Sequence, residues 1–237
     1  MTAPQTPQGR LQGPLRLIVF DVDGTLVDSQ GDIVAAMGHA FGRAGLRAPA
    51  RAETLGIVGL SLDTAIARLA PALPAEMQGQ MVGWYREAYM DLRAKTGAAA
   101  SSPLYPHARE VLKALHAVPE NLLGLATGKS RRGLDKLLEA HGLGPYFVTR
   151  QDSDHHPSKP HPAMLRAALS ETGAEPAQAV MVGDTTFDMD MAAAAGLPFV
   201  GVAWGYHDPA RLTRARAILR DFRDLPGLLD ELWEPAT

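Results

Sequence analysis

Four aspartates, a threonine and a lysine occur in short polar clusters at the ends of apolar runs or in the loops after them. Asp21-Val22-Asp23-Gly24-Thr25 follows the run 15–20, and Thr127-Gly128-Lys129 follows 122–126. Ser158-Lys159-Pro160 lies in a loop after 146–149, and Gly183-Asp184-Thr185-Thr186-Phe187-Asp188 follows 179–182. Ligand sites of open parallel sheets form beyond the carboxyl ends of the strands. If one sheet gathers these ends, Asp21, Asp23, Asp184 and Asp188 share a small volume with Thr127 and Lys159. Clustered carboxylates repel one another and raise their proton affinity. A hard divalent cation relieves that repulsion, and Mg²⁺ suits a few carboxylates together with waters and a phosphate. Lys159 would offset the acids and hold a phosphoryl oxygen.

The elements that must position these groups follow from periodicity. The runs 15–20, 122–126, 146–149, 179–182 and 199–202 are short, Val-rich and apolar on both faces, which predicts buried parallel strands. A shorter strand is expected at 217–219 and a helix at 225–232. Helical spacing lies between them, as in Val111/Leu112/Leu115, Leu134/Leu137/Leu138 and Met164/Leu165/Ala168/Leu169. Alternating strands and helices predict an α/β fold, a Rossmann-like parallel sheet with right-handed crossovers. The stretch 28–99 breaks the alternation with three amphipathic stripes: Ile33/Met37/Phe41, Leu62/Ile66/Leu69 and Met77/Met81/Trp84/Ala88/Leu92. Such stripes are core faces of helices. The expected division is therefore a flexible tail at 1–14, an α/β core at 15–27 plus 100–237, and an inserted helical cap at 28–99. Thr96-Gly97 through Pro103 supply a return hinge.

Composition narrows the classes. The 237 residues include no cysteine, which excludes a disulfide scaffold, a thiol nucleophile and Cys-ligated zinc. A net charge of −3 offers no basic excess for a nucleic-acid partner. No apolar run approaches the roughly 20 residues of a membrane span, and the polar N-terminus lacks a signal-peptide pattern, so a cytoplasmic protein is expected. Gly and Pro, 23 and 18 residues, together exceed the roughly 12% of ordinary chains and predict many sharply punctuated elements.

Taken in order, the four clusters resemble the four motifs of the haloacid dehalogenase superfamily of phosphatases. Asp21 through Ser29 is similar to the first, Ala126-Thr127-Gly128-Lys129 to the second, Ser158-Lys159-Pro160-His161-Pro162 to the third, and Gly183-Asp184 through Asp188 to the fourth. Gly59-Leu60-Ser61-Leu62 and Trp204-Gly205-Tyr206 are similar to segments of the phosphoglycolate phosphatase-like members. The resemblance implies that Asp21 attacks phosphorus and that Asp23 works as general acid and then base. It implies Mg²⁺ held by the Asp21 side chain, the Asp23 backbone carbonyl and Asp184, with Asp188 supporting the metal through water or orienting its neighbours. Thr127, Gly128, Lys159 and the backbone around Gly24 would bind the phosphoryl group, and Gly59, Leu60 and Ser61 would contribute to specificity. An acid at the Asp23 position favours phosphatase over dehalogenase chemistry, because a leaving alkoxide needs a proton and a halide does not.

The implied substrate is a small phosphorylated metabolite, phosphoglycolate-like or a sugar phosphate, taken up by a monomer or homodimer. The alternatives are a phosphomutase of the β-phosphoglucomutase type, a pyrophosphatase or nucleotidase, and a catalytically silent regulatory binding protein. His155, His156 and His161 match no standard zinc spacing and are expected in a solvated loop. Arg131-Arg132 is expected on a solvated helix face.

Overall fold

The computed structural model describes residues 13–233. Of the tail expected at 1–14, all but Gly13 and Pro14 lies outside the described residues. Six strands, β1 (Arg16–Phe20), β2 (Asn121–Ala126), β3 (Phe147–Gln151), β4 (Ala179–Gly183), β5 (Phe199–Val202) and β6 (Ala217–Leu219), form one sheet. All pairings are parallel, in the order β3-β2-β1-β4-β5-β6. Each predicted strand is present to within two residues of its expected bounds. Consecutive strands β1 and β2 step one way across the sheet and β4 starts the other way. The strand order therefore reverses at β1, the position where doubly wound sheets open a crevice.

The strands are apolar on both faces because helices cover both. In β1, Leu17 and Val19 point to a layer built by Met164 and Leu165 of α8 (Ala163–Thr172) and Met189 and Met191 of α9 (Thr186–Ala195). Ile18 and Phe20 point the other way, into Leu112 of α6 (Ala108–His116), Leu134 of α7 (Arg131–His141) and Leu229 of α10 (Leu225–Trp233).

Between β1 and α6 the chain leaves the sheet and runs through α1 (Gln30–Arg43), α2 (Arg51–Leu55), α3 (Leu62–Leu69), α4 (Ala75–Thr96) and α5 (Ala98–Ser101). The outgoing and returning connections are stapled together: Val27 and Leu104 form an antiparallel bridge, Asp28 N donates to Pro103 O at 2.9 Å, and Tyr105 N donates to Leu26 O at 3.0 Å. Met37 and Phe41 of α1, Ile66 of α3 and Met81 of α4 make a small separate core. The stripe expected on α4 needs correction. Only Met81 is buried, while Met77, Trp84, Ala88 and Leu92 are half-buried. The insertion is too thin to cover a 22-residue helix, and part of α4 instead lines a cavity over the sheet. Among the described residues no helix is long and apolar enough to cross a membrane.

Leu123 sits fully buried midway along the interior pair β1–β2, opposite Ile18. Leu123→Ala is expected to cost about 2–5 kcal/mol through lost transfer energy and the cavity left behind. Urea denaturation measures it, and an unchanged midpoint would contradict the packing described.

Candidate active site

Asp21 directly follows β1, Thr127 follows β2 and Asp184 follows β4, so the parallel order places these three residues side by side at one edge of the sheet. Asp21, Asp184 and Asp188 each offer a carboxylate oxygen within 4.8 Å of the others, and all three are buried. Lys159 enters from the loop after β3. Its Nζ lies 2.6 Å from Asp188 Oδ1, to which it donates, and 2.8 Å from Asp21 Oδ1. Burial disfavours the ammonium, but the charges of Asp188 and Asp21 outweigh it and hold Lys159 above its usual range.

Local sequence explains the position of each acid. Thr185 and Asp188 form a reciprocal capping box at the start of α9: Asp188 N donates to Thr185 Oγ1 at 3.2 Å, and Thr185 N donates to Asp188 Oδ2 at 3.0 Å. Thus Asp188 caps a helix with one oxygen and anchors Lys159 with the other. Asp184 accepts from Thr25 Oγ1 at 2.9 Å and from Tyr206 N at 2.8 Å. Gly24 has φ +87°, and a Cβ there would overlap Asp184, so only glycine lets the first loop lie against the fourth. Asp23 accepts from Lys129 Nζ at 2.7 Å and from the Ser29 hydroxyl, and Ser29 N in turn donates to Tyr206 Oη at 2.9 Å.

Asp21 Oδ1 is ion-paired with Lys159 at 2.8 Å, while its Oδ2 is buried without a hydrogen-bond partner. Buried polar atoms without partners call for a reason. Burial, reinforced by Asp188 and Asp23 and opposed by Lys159, pushes the Asp21 carboxyl up to about 7. Burial first, then Asp21 and Asp188, raises Asp184 well above the usual carboxylate range. A divalent cation fits this donor set: two buried carboxylates, Asp21 and Asp184, with hard oxygen ligands and unmet negative charge.

The insertion closes over this edge. A cavity of about 520 Å³ opens above Asp21 and Asp23. Gly59 and Leu60 line it, and a Cβ on Gly128 would overlap Leu60 O. Ser61 N donates to Ser158 Oγ at 2.8 Å. The residues expected for specificity are thus brought against the second and third motifs. Thr127 and Lys159 are buried beneath the cavity floor, while Gly128 lines it.

Three groups escaped the sequence reading. Lys129 was visible within the second cluster, but its contact with Asp23 joins residues 106 positions apart, and no local spacing signals that. Ser29 closed the first motif without an assigned task. Tyr89 of α4 places its hydroxyl 3.3 Å from Lys129 Nζ, linking the insertion to Asp23. Arg131 also differs from expectation. It lies 2.8 Å from the fully buried Asp152 and donates to Arg150 O at 2.8 Å, because the end of β3 leaves a carboxylate that needs a cation. Arg132 is exposed at the cavity mouth. His155, His156 and His161 are engaged locally by Asp152, Gln151 and the Ala163 amide.

With the geometry in hand, the likeness to known proteins can be placed. Residues 18–202 match the family described as haloacid dehalogenase-like hydrolase. IndB, a probable phosphatase of Dickeya dadantii, is 35% identical over 215 residues, spanning 89% of this chain and 92% of that one. A phosphoglycolate phosphatase of Vibrio vulnificus is 33% identical over 204 residues, with 83% and 87% covered. The crystal structure of a hydrolase from Pseudomonas syringae superposes with a TM-score of 0.80 at 26% identity, covering 92% of this chain and 99% of that one. The chain belongs to the haloacid dehalogenase-like hydrolase family, as a phosphoric monoester hydrolase.

The raised Asp21 carboxyl has a consequence for stability. Between about pH 4 and 7 the folded, metal-free protein holds a proton that the unfolded chain has released. Stability therefore falls as pH rises through that window. Thermal melts in EDTA are expected to show this slope, and a shallower one in Asp21→Asn. Equal slopes in the two proteins would contradict it.

Proposed function

We propose that the protein is a Mg²⁺-dependent phosphatase that hydrolyses a small phosphorylated metabolite through an aspartyl-phosphate on Asp21. The observation that carries this is Asp21 itself: a buried carboxylate with one oxygen paired to Lys159 and the other without a hydrogen-bond partner, close to two further buried acids, at the floor of a cavity. An Asp21 oxygen attacks phosphorus and the ester P–O bond breaks. Asp23, held by Lys129 and Ser29, gives its proton to the departing alkoxide. Water then attacks the phosphorus of the acyl phosphate, Asp23 takes the proton from that water, and inorganic phosphate leaves with Asp21 restored.

Asp21, Asp184 and the Asp23 backbone carbonyl would hold Mg²⁺, which supplies charge neutralisation of the phosphoryl oxygens. Asp188 serves by fixing Lys159, since both of its oxygens are already engaged. Lys159 and Thr127 hold phosphoryl oxygens, with Gly128 and the backbone around Gly24 allowing close approach. This is the electrostatic positioning on which phosphoryl transfer depends. Residues 28–99 act as a cap that excludes water while the intermediate exists. Five cations line the cavity, Arg86, Arg93, Lys129, Arg132 and Lys136, against a single acid, Asp154, beyond the two catalytic ones. In a chain of net charge −3 this local excess draws in an anionic ester.

Phosphoglycolate and sugar phosphates are the candidates supplied by the relatives and the resemblance, and a cytoplasmic monomer or homodimer completes the reading. A phosphomutase would return the phosphoryl group to bound sugar, so free phosphate against isomerised sugar phosphate separates the two. Asp21→Asn is expected to lower phosphate release from p-nitrophenyl phosphate by about 10⁴-fold, the scale seen when one member of a catalytic unit is removed. EDTA should abolish release in the wild type and Mg²⁺ restore it. Wild-type turnover by Asp21→Asn, or activity indifferent to EDTA, would refute the proposal.

A further inference from the structure

The cavity above Asp21 is larger and less polar than a two-carbon acid phosphate needs. At about 520 Å³ it falls within the roughly 300–1,000 Å³ of pockets that bury drug-sized ligands. Its catalytic floor is polar, but Ile33, Met37, Ile57, Leu62, Ala65 and Tyr85 present an apolar wall from the insertion. A carboxylate or sugar hydroxyl placed against that wall would lose water without gaining a partner. Arg93 stands apart from the wall. It lines the same cavity, and its guanidinium carbon lies 5.6 Å from the Tyr89 ring centroid. A guanidinium at the edge of an apolar wall matches a ligand body that is flat and apolar with one acceptor or acid group at its edge.

Resting on the phosphatase reading above, we propose that the substrate is a phosphomonoester whose alcohol carries a planar ring bearing a hydrogen-bond acceptor or acid group. The ester phosphate sits over Asp21, the ring lies along the apolar wall formed by α1, α3 and α4, and Arg93 meets the acceptor. Leu62, the first residue of α3 and half-buried, is part of what the ring touches.

The test uses the full chain with Mg²⁺ and three alkyl phosphates: phosphoglycolate, benzyl phosphate and 4-carboxybenzyl phosphate. All leave as alkoxides, so leaving-group activation of the aryl kind does not decide the ranking. Benzyl phosphate is expected to exceed phosphoglycolate in kcat/KM by at least about tenfold, the scale on which apolar pockets discriminate. The carboxylated ester should exceed benzyl phosphate, and Arg93→Gln should erase that increment. Leu62→Glu places an acid where a helix's first turn tolerates it. It should lower kcat/KM for the ring esters at least about tenfold more than for phosphoglycolate, and Leu62→Met should restore the preference. Phosphoglycolate hydrolysed as well as benzyl phosphate, or a Leu62→Glu loss equal on both, would overturn the ring assignment. An Arg93→Gln variant that keeps the increment would overturn the role of Arg93. Release of phosphate from none of the three, nor from p-nitrophenyl phosphate, would instead sink the phosphatase reading beneath it.

Discussion

Three carboxylates buried within reach of one another, with a single lysine among them, are the constraint that the rest of the molecule answers. In a low-dielectric interior, such charges persist only if each is paired, hydrogen-bonded or neutralised by a proton or a metal. Lys159 provides one positive charge and divides it between Asp188 and Asp21. Thr25 and the Tyr206 amide satisfy Asp184. Asp21 shares that lysine through one oxygen and keeps the other without a hydrogen-bond partner, and on the proposed mechanism that oxygen is the one left for a metal and for phosphorus. The sheet makes this possible. Only a strand covered on both faces can carry its terminal residue to full burial, and β1 has Ile18 and Phe20 packed on one side and Leu17 and Val19 on the other.

A second lysine extends the same logic outward. Lys129 is buried against Asp23, and the aspartate's charge outweighs burial to hold the ammonium above its usual range. It also reaches Tyr89 of the insertion, so Asp23 and the helix over it are joined through one lysine. Gly128 beside it admits the backbone of Leu60, and Ser158 beside Lys159 accepts the Ser61 amide. The second and third motifs thus do two things at once. Their lysines compensate the acids, and their small neighbours receive the insertion.

Legibility in the sequence follows the range of the interactions. β1, β2 and β4 were readable because burial on both faces leaves a continuous apolar run, with polar residues starting at the strand's end. Asp188, expected to support a metal or orient its neighbours, also caps α9 through Thr185, a local contact three residues away. The pairing of Lys129 with Asp23 was not readable, because it is created by the register of β1 on β2 and leaves no periodic trace. The same limit explains α4. A stripe of Met77, Met81, Trp84, Ala88 and Leu92 reads as one core face, yet Met81 alone is buried. The adjacent Tyr85 and Tyr89, stacked at 5.8 Å, turn to the cavity. Periodicity reports that a face is apolar and is silent on whether protein or ligand covers it. For Arg131, the unseen partner was Asp152, whose complete burial depends on the end of β3.

The site therefore divides by dielectric role. The floor gathers charge from three strand ends and a loop, where rigid parallel pairing holds positions that phosphoryl transfer requires. The wall comes from helices joined to the core through the stapled connection at Val27 and Leu104, the packing of Leu60 and Ala65 on Phe187, a His207–Gly56 hydrogen bond and the contacts of Ser61 and Tyr89. A floor this charged needs water excluded during reaction, since water weakens every electrostatic interaction it screens. An apolar wall excludes water best when the substrate itself fills it. Binding energy from a remote, non-reacting body can then be used at the phosphorus, lowering the barrier instead of only tightening the ground state. On this argument the polarity of the floor and the apolarity of the wall are one requirement. Chemistry that depends on buried charge gains most from a ligand whose body fills the wall with apolar surface and keeps any polar group at its edge.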